Sequence, residues 1–445
     1  MFRKFPNALV IMIYFIIFCG ICSYIIPKGQ YERAIDPETN FETVVQGSYR
    51  VIEGEPLSIY TLFLSIPEGI IGRADLVVLV LLFGGCFYVI EKTGALKEGI
   101  SFLTNKLQGK EELALIIVAA IFSTLGSLSG FQEEIIALTP LLLFFTRTLG
   151  YNACVAIAIS HGAAVVGCSF GPLNPFGVGI AQSLVNLPYL SALGFRIVAL
   201  VLGFILWMTI IIRYGNKNRI TRETEPEKVV TRLHTRHAVI LGLVVLGFAI
   251  MMVGLLKFDW GFNEMSAEFF VLGIIIGIIG KLGVNGTSTA YIEGFKEMTF
   301  AAIIIGLANS ISIVLQKGMI IDSIIYGLFQ PLQYLPSSIS AVAMMGSQAI
   351  LHFPIPSSSG QAILTMPILA PLSDLIGLSR QVCVLAYQYG AILMDFLVPT
   401  NGALMAIIAI AGISYDEWFK FAIKPLLIMF VFCAIVIMTA IHLGV

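Results

Sequence analysis

The chain contains two stretches that repeat one another in register. Pro140 and Pro367 are 367 − 140 = 227 positions apart, and the same offset relates Pro172 to Pro399, Asn174 to Asn401 and Gly150 to Gly377. The first stretch, 126–177, opens on Gly126-Ser-Leu-Ser-Gly130. It passes through Gln132-Glu133-Glu134 and Thr139-Pro140 and closes on Pro172-Leu-Asn174-Pro175-Phe176. The second, 354–402, opens on Pro356-Ser-Ser-Ser-Gly360-Gln361, runs through Met366-Pro367 and closes on Pro399-Thr400-Asn401-Gly402. Unrelated apolar segments do not hold register over so many punctuating residues, so the chain reads as an internal duplication with its working site where the copies meet.

The setting is a bilayer. Of 445 residues, 58% are hydrophobic and only 12% charged, with mean hydropathy +0.92, where a soluble domain carries roughly 25% charge. Backbone groups in hydrocarbon must be satisfied within the chain, so the expected fold is an all-α polytopic membrane protein. A net charge of −1 gives no basis for nucleic-acid binding. The five histidines and seven cysteines form no HExxH and no Cys/His cluster of zinc-binding spacing, and Cys19 and Cys22 read as small residues of an apolar span.

Length and flanking charge set the organisation. Residues 1–26 hold a first span that Arg3 and Lys4 keep with its N-terminus in the cytoplasm. Residues 27–56 are a polar external loop with a small β-hairpin signal, and 57–71 either crosses or lies at the interface. The run 111–146 is too long for one crossing of a core of about 30 Å. It has basic residues at both ends (Lys106 and Lys110 before, Arg147 after), so it reads as a re-entrant hairpin with its tip at Gly126–Gln132. Residues 152–185 form a helix broken at Gly171–Gly177 by two prolines. These elements make 57–212 the first repeat, and a basic cytoplasmic linker, 213–237, follows. The second repeat, 238–445, has spans near 238–256, 267–282 and 299–316, a hairpin at 337–376 with its tip at Pro354–Gln361, a broken helix at 380–410 and a last span near 419–443. Gln316-Lys317-Gly318 echoes Glu91-Lys92-Thr93-Gly94, but counting spans puts the echo on the opposite face. The fold class is therefore an inverted-repeat transporter with two re-entrant hairpins and two broken helices.

Two tips and two breaks related by inversion should converge near the midplane, where half-helix ends offer free N–H and C=O groups. The candidate substrate-binding residues there are Ser127, Ser129, Gly130, Gln132, Glu133, Glu134 and Asn174 of the first copy. Those of the second are Ser357, Ser358, Ser359, Gly360, Gln361, Asp395, Thr400 and Asn401. Hydroxyls and amides donate and accept, and carboxylates at membrane depth are by default functional. Ser129, Asn174, Ser359 and Asn401 would supply oxygens to a sodium ion. The bland alternatives are satisfied turns and N-caps for the serines, and first-turn acids for Glu133 and Glu134. His161 reads as a satisfied bundle histidine. The inferred core holds acids and no arginine or lysine, which matches a substrate ammonium, a cation or a proton better than a dianion.

At these residues the chain resembles the four-carbon dicarboxylate anaerobic carrier (DcuC-like) group of the ion transporter superfamily, and within it the YfcC-like basic amino-acid antiporter branch. The carrying residues are Gly84-Gly85 with Ile90-Glu91-Lys92-Thr93-Gly94-Ala95, Glu133-Glu134, Asn174-Pro175-Phe176, Ser357 to Gln361 with Met366-Pro367, and Pro399-Thr400-Asn401-Gly402. The resemblance implies an elevator-type secondary carrier of the bacterial inner membrane, a homodimer, not an enzyme, coupled to sodium or protons and using no cofactor. The expected substrates are small amino acids, arginine or ornithine first, with four-carbon dicarboxylates or short-chain fatty acids as the alternative. The superfamily's dicarboxylate carriers place Ser-Asn-Thr at both tips; this chain has Ser-Leu-Ser-Gly and Ser-Ser-Ser-Gly. A channel fits two opposed hairpins poorly, and an intramembrane enzyme lacks a nucleophile elbow.

Overall fold

A computed structural model describes the chain apart from residues 1–7, 36–41, 46, 97, 100–101, 103–108, 222–232 and 259. Arg3, Lys4, Lys106 and the middle of the basic linker lie outside the described residues. The helices are α1 (Ala8–Ile25), α2 (Ile59–Ile71), α3 (Ala74–Lys92), α4 (Glu111–Ser129), α5 (Ile135–Thr148), α6 (Ala153–Phe170), α7 (Ile180–Leu184) and α8 (Leu193–Lys217). They continue with α9 (Thr235–Lys257), α10 (Phe262–Ile279), α11 (Gly283–Lys317), α12 (Ile321–Phe329), α13 (Ser337–Leu351), α14 (Ser358–Leu375), α15 (Arg380–Leu393), α16 (Gly402–Ala411) and α17 (Tyr415–Leu443). Seven helices among the described residues are long and apolar enough to cross a membrane.

The loop after α1 forms two short antiparallel ladders, β1 (Gly29–Gln30) with β4 (Arg50–Val51) and β2 (Arg33–Ile35) with β3 (Glu42–Val44). It is fastened to α12, a helix the apolar pattern does not announce. Arg33 Nη2 donates to Asp322 Oδ1 at 3.0 Å, the Tyr31 N–H donates to Asp322 Oδ2 at 2.9 Å, and Tyr49 stacks on Tyr326 with ring centroids 4.1 Å apart.

Helix α11 has 35 residues, about 52 Å, and starts well before the apolar run expected from 299. Tyr291 explains the extension. Its ring packs against Gly85 and its hydroxyl donates to the Phe270 carbonyl at 2.7 Å, so the polar first third is held by α3 and α10. Along α11, contacts with α2 and α3 fall in reverse order. Lys317 pairs with Glu68, Ser310 and Gly306 meet Gly69, Asn309 meets Gly72, Met298 and Gly294 meet Gly84, and Tyr291 meets Gly85. Segment 57–71 is thus not an isolated surface helix. Helices α2 and α3 follow one another along α11, with a break at Gly72–Arg73. That break lies 317 − 309 = 8 residues inside the end of α11, or about 12 Å. Helices α3 and α11, which end in the two echoing motifs, run antiparallel, the relation that inversion demands.

The first hairpin is α4 and α5, the second α13 and α14. Each tip is narrower than the sequence suggests. Helix α4 continues through Gly126 and Ser127 because Gly126 and Gly167 let α4 and α6 touch backbone to backbone, at the carbonyls of Ala164 and Ser123. The turn proper begins at Gly130, whose φ of 73° is left-handed and suits a residue without Cβ. In the second copy α13 packs on α15 in the same way, with Gly390 against the Met345 carbonyl. Helix α6 is interrupted after Phe170 and resumes through a π-turn at Pro175–Gly179 into α7. Helix α15 passes through a 3₁₀ turn at Met394–Phe396 and an extended stretch to Asn401 before α16. The result is an all-α polytopic membrane protein, an inverted repeat with two re-entrant hairpins and two broken helices.

Candidate functional site

Asp395 joins the two copies. Its carboxylate accepts from Gln132 Nε2 of the first tip at 3.1 Å, from His352 Nε2 of the second hairpin at 2.7 Å and from Asn401 Nδ2 of the second break at 2.5 Å. Its backbone carbonyl accepts from His161 Nε2 of α6 at 3.1 Å. Gln361 Nε2 donates to the Gln348 carbonyl at 2.8 Å and to the Gln348 side chain, leaving Gln361 Oε1 as the acceptor 2.8 Å from His352 Nδ1. His352 Nδ1 thus faces the Gln361 amide oxygen and Nε2 the Asp395 carboxyl, an arrangement met by an imidazolium with a carboxylate or by a neutral imidazole with a protonated carboxyl. His352 and Asp395, 0% and 4% exposed, form a closed hydrogen-bonded pair.

Beside this hub a cavity of ≈ 310 Å³ opens between the second tip, the second break, the α2–α3 break and α11. Glu133 of the first tip reaches it, with Ser357, Gly360, Thr400 and Asn401 of the second copy and Arg73 of the α2–α3 break. The N-termini of α14 and α16 end at its wall. Ser357 caps α14, accepting from the Gly360 N–H at 3.2 Å, and Asn401 caps α16, accepting from the Leu404 N–H at 2.9 Å. The first-turn N–H groups left over give this side of the cavity a positive field. Thr400 is 1% exposed, and its hydroxyl has no partner among the described residues. A second cavity, ≈ 420 Å³, is lined by Phe87, Tyr88, Phe144 and Met298 together with the charged Glu91, Arg147 and Glu297, and touches neither tip.

The expected site residues divide three ways. Glu133, Ser357, Gly360, Thr400 and Asn401 line the first cavity. Gln132, Gln361 and Asp395 belong to the hub and have their polar groups engaged there. The others lie elsewhere. Gly130 abuts the Asn174 amide, and Asn174 Oδ1 accepts from the Gly177 N–H at 3.2 Å, closing the first break on the first tip. Ser127 is buried against Gly171, and Glu134 precedes α5. Ser358 and Ser359 open α14, the Ser358 carbonyl accepting from the Tyr387 hydroxyl at 2.5 Å. The side chain of Ser129 lies outside the described residues. Of the four oxygens expected for sodium, the three on described side chains are divided between the first break (Asn174), the second tip (Ser359) and the second break (Asn401).

The expectation of a core without arginine is corrected. Arg73 stands in the cavity, and Arg196 is 0% exposed on α8, donating to Gln388 Oε1, while Gln388 Nε2 donates to the Cys168 and Gly171 carbonyls at 2.9 Å each. His352, central to the hub, is also absent from the sequence reading. Its signal was an imidazole inside a hairpin arm at membrane depth, the same kind of signal that marked His161.

Fold and site together define a multi-pass membrane carrier. The family model described as "C4-dicarboxylate anaerobic carrier" matches residues 5–442, and the chain belongs to that family, DcuC. It is 26% identical over 490 residues to the Escherichia coli (strain K12) protein named "Putative basic amino acid antiporter YfcC", covering 99% of this chain and 97% of that one. It is 29% identical over 476 residues to an uncharacterised protein of Haemophilus influenzae, covering 94% and 93%. Among solved structures, the Alcanivorax borkumensis YdaH transporter aligns over 99% of both chains at 15% identity and TM-score 0.46. Neisseria gonorrhoeae MtrF aligns over 98% of this chain and 95% of its own at 16% identity and TM-score 0.41.

Proposed function

We propose that this carrier is a secondary active transporter of the bacterial inner membrane that moves small amino acids, arginine and ornithine among them, by elevator-type alternating access. The observation that carries the reading is Glu133. It is a carboxylate in a cavity whose lining includes two helix N-termini and the unpartnered hydroxyl of Thr400. An ammonium and a carboxylate on one small molecule match that wall and that acid together. The substrate would sit between the tip of the second hairpin and the second break, and the hairpin units would move against α2, α3 and α11. Sodium or protons are the coupling ions this reading admits, the N-terminus is cytoplasmic, and the working unit is a homodimer.

The family's name favours a second reading, a four-carbon dicarboxylate, which the helix N-termini would also suit. Counterflow separates the two. Proteoliposomes preloaded with ornithine should accumulate labelled arginine, and those preloaded with succinate should not accumulate labelled succinate. Glu133→Gln should slow the amino-acid exchange at least about tenfold, the size of one charged hydrogen bond. Accumulation confined to succinate, unaffected by Glu133→Gln, would sink the amino-acid reading.

A further inference from the structure

Arg73 is the unabsorbed feature of the cavity. It stands where α2 ends and α3 begins, about 12 Å inside the end of α11, and it lines the same space as Glu133, Thr400 and the N-terminus of α16. No hydrogen bond or ion pair to a described residue holds its guanidinium. Glu133 is the one carboxylate residue that shares the cavity lining with it, and Asp395 is engaged by His352, Gln132 and Asn401; a guanidinium that faces a cavity is matched by an anion entering that cavity. The local chain provides for the position. Gly72 allows close contact with Asn309, and the break between α2 and α3 leaves Arg73 facing the cavity.

We propose that Arg73 binds the carboxylate of the transported molecule, so that the carrier selects α-amino acids and rejects the amines that lack that carboxylate. A planar guanidinium takes a carboxylate through two parallel hydrogen bonds. The hydroxyl of Thr400 and the first N–H groups of α16 lie on the same cavity wall and complete the anion's surroundings. Glu133 takes the ammonium. In the state where both line the cavity, the substrate is held by Arg73 at the α2–α3 break and by Glu133 of the first hairpin. This inference rests on the reading of the cavity as an amino-acid site.

The test uses the full chain in proteoliposomes preloaded with ornithine, with labelled arginine outside and agmatine or putrescine as competitors. Wild type should ignore both amines at concentrations where unlabelled arginine competes fully. Arg73→Gln should raise the KM for arginine at least about tenfold and narrow the gap between arginine and agmatine. Arg73→Lys, which keeps the charge but not the fork, should fall between, and size-exclusion profiles report folding of both. An unchanged arginine KM in Arg73→Gln, or equal competition by agmatine in wild type, overturns the proposal while leaving amino-acid exchange standing. Should wild type exchange succinate and not arginine, loss of that exchange in Arg73→Gln keeps Arg73 as the carboxylate site and removes only the amino-acid reading. No exchange of arginine, ornithine or succinate by wild type overturns both.

Discussion

Asp395 and His352 show what a buried charge does when its partner is already in the fold. Three side chains surround the Asp395 carboxyl, the His352 imidazole among them. Removing one member leaves the other buried without its partner, which costs about 3–5 kcal/mol where the pair is ionic and about 1–3 kcal/mol where it is neutral. Asp395→Asn should therefore lower the thermal midpoint of the detergent-solubilised carrier sharply. His352→Gln should do likewise, and the double variant should lose less than the sum of the two, because the pair is one interaction. Additive losses would mean that the two residues act independently. Sequence reasoning saw Asp395 as a lone acid in an apolar run and placed it at the substrate, since a linear reading shows the charge and not the donors that close around it. His352 sits in Leu351-His352-Phe353-Pro354 with Leu125 as its counterpart at the offset of 227, so the duplication that marked its neighbours gave no pointer to it. Arg73 was hidden for a different reason. Between two apolar segments a Gly-Arg pair reads as an interfacial loop, and its place on the cavity wall appears only once α11 and the second tip are laid alongside.

The helices pack by small residues at their crossings, and this can be tested element by element. A Cβ at Gly167 would run into the Ser123 carbonyl and one at Gly390 into the Met345 carbonyl, the equivalent seams of the two copies. Backbone cannot yield as a flexible side chain can. Gly167→Ala and Gly390→Ala should each destabilise by about 1–3 kcal/mol or more, read as lost monodisperse yield and a lower thermal midpoint. Gly242→Ala on α9, where nothing lies within 4 Å of the added methyl, is the matched control and should be neutral or mildly stabilising. The hairpins and broken helices were legible as elements because their prolines and glycines recur at fixed spacing and because an apolar run flanked by basic residues at both ends must turn back. Their exact ends were not, since Gly126 reads as a turn residue until α6 is seen to demand it within a helix. The clasp of the external loop on α12 was beyond reach for the same reason, being made by Arg33 and Asp322, 289 residues apart.

At the scale of the whole molecule the reading requires the second break to leave α11 and return. A Cβ on Gly402 would lie 3.6 Å from that of Ile305, within the span of a disulfide. An Ile305→Cys/Gly402→Cys variant in a background without the native cysteines should cross-link on oxidation and stop exchange, with reductant restoring it and each single variant remaining active. Undiminished exchange by the fully cross-linked carrier would show that this seam does not open during the cycle. The duplication carries a further consequence. On the alternating-access reading, the outward- and inward-facing states would arise when the two copies trade conformations. The copies differ where it would matter: the second holds Asp395 and His352 where the first holds Cys168 and Leu125, and Glu133 comes to the cavity from the first. That asymmetry would give such a carrier a built-in sidedness, with one resting orientation favoured and a different apparent affinity on each face of the membrane.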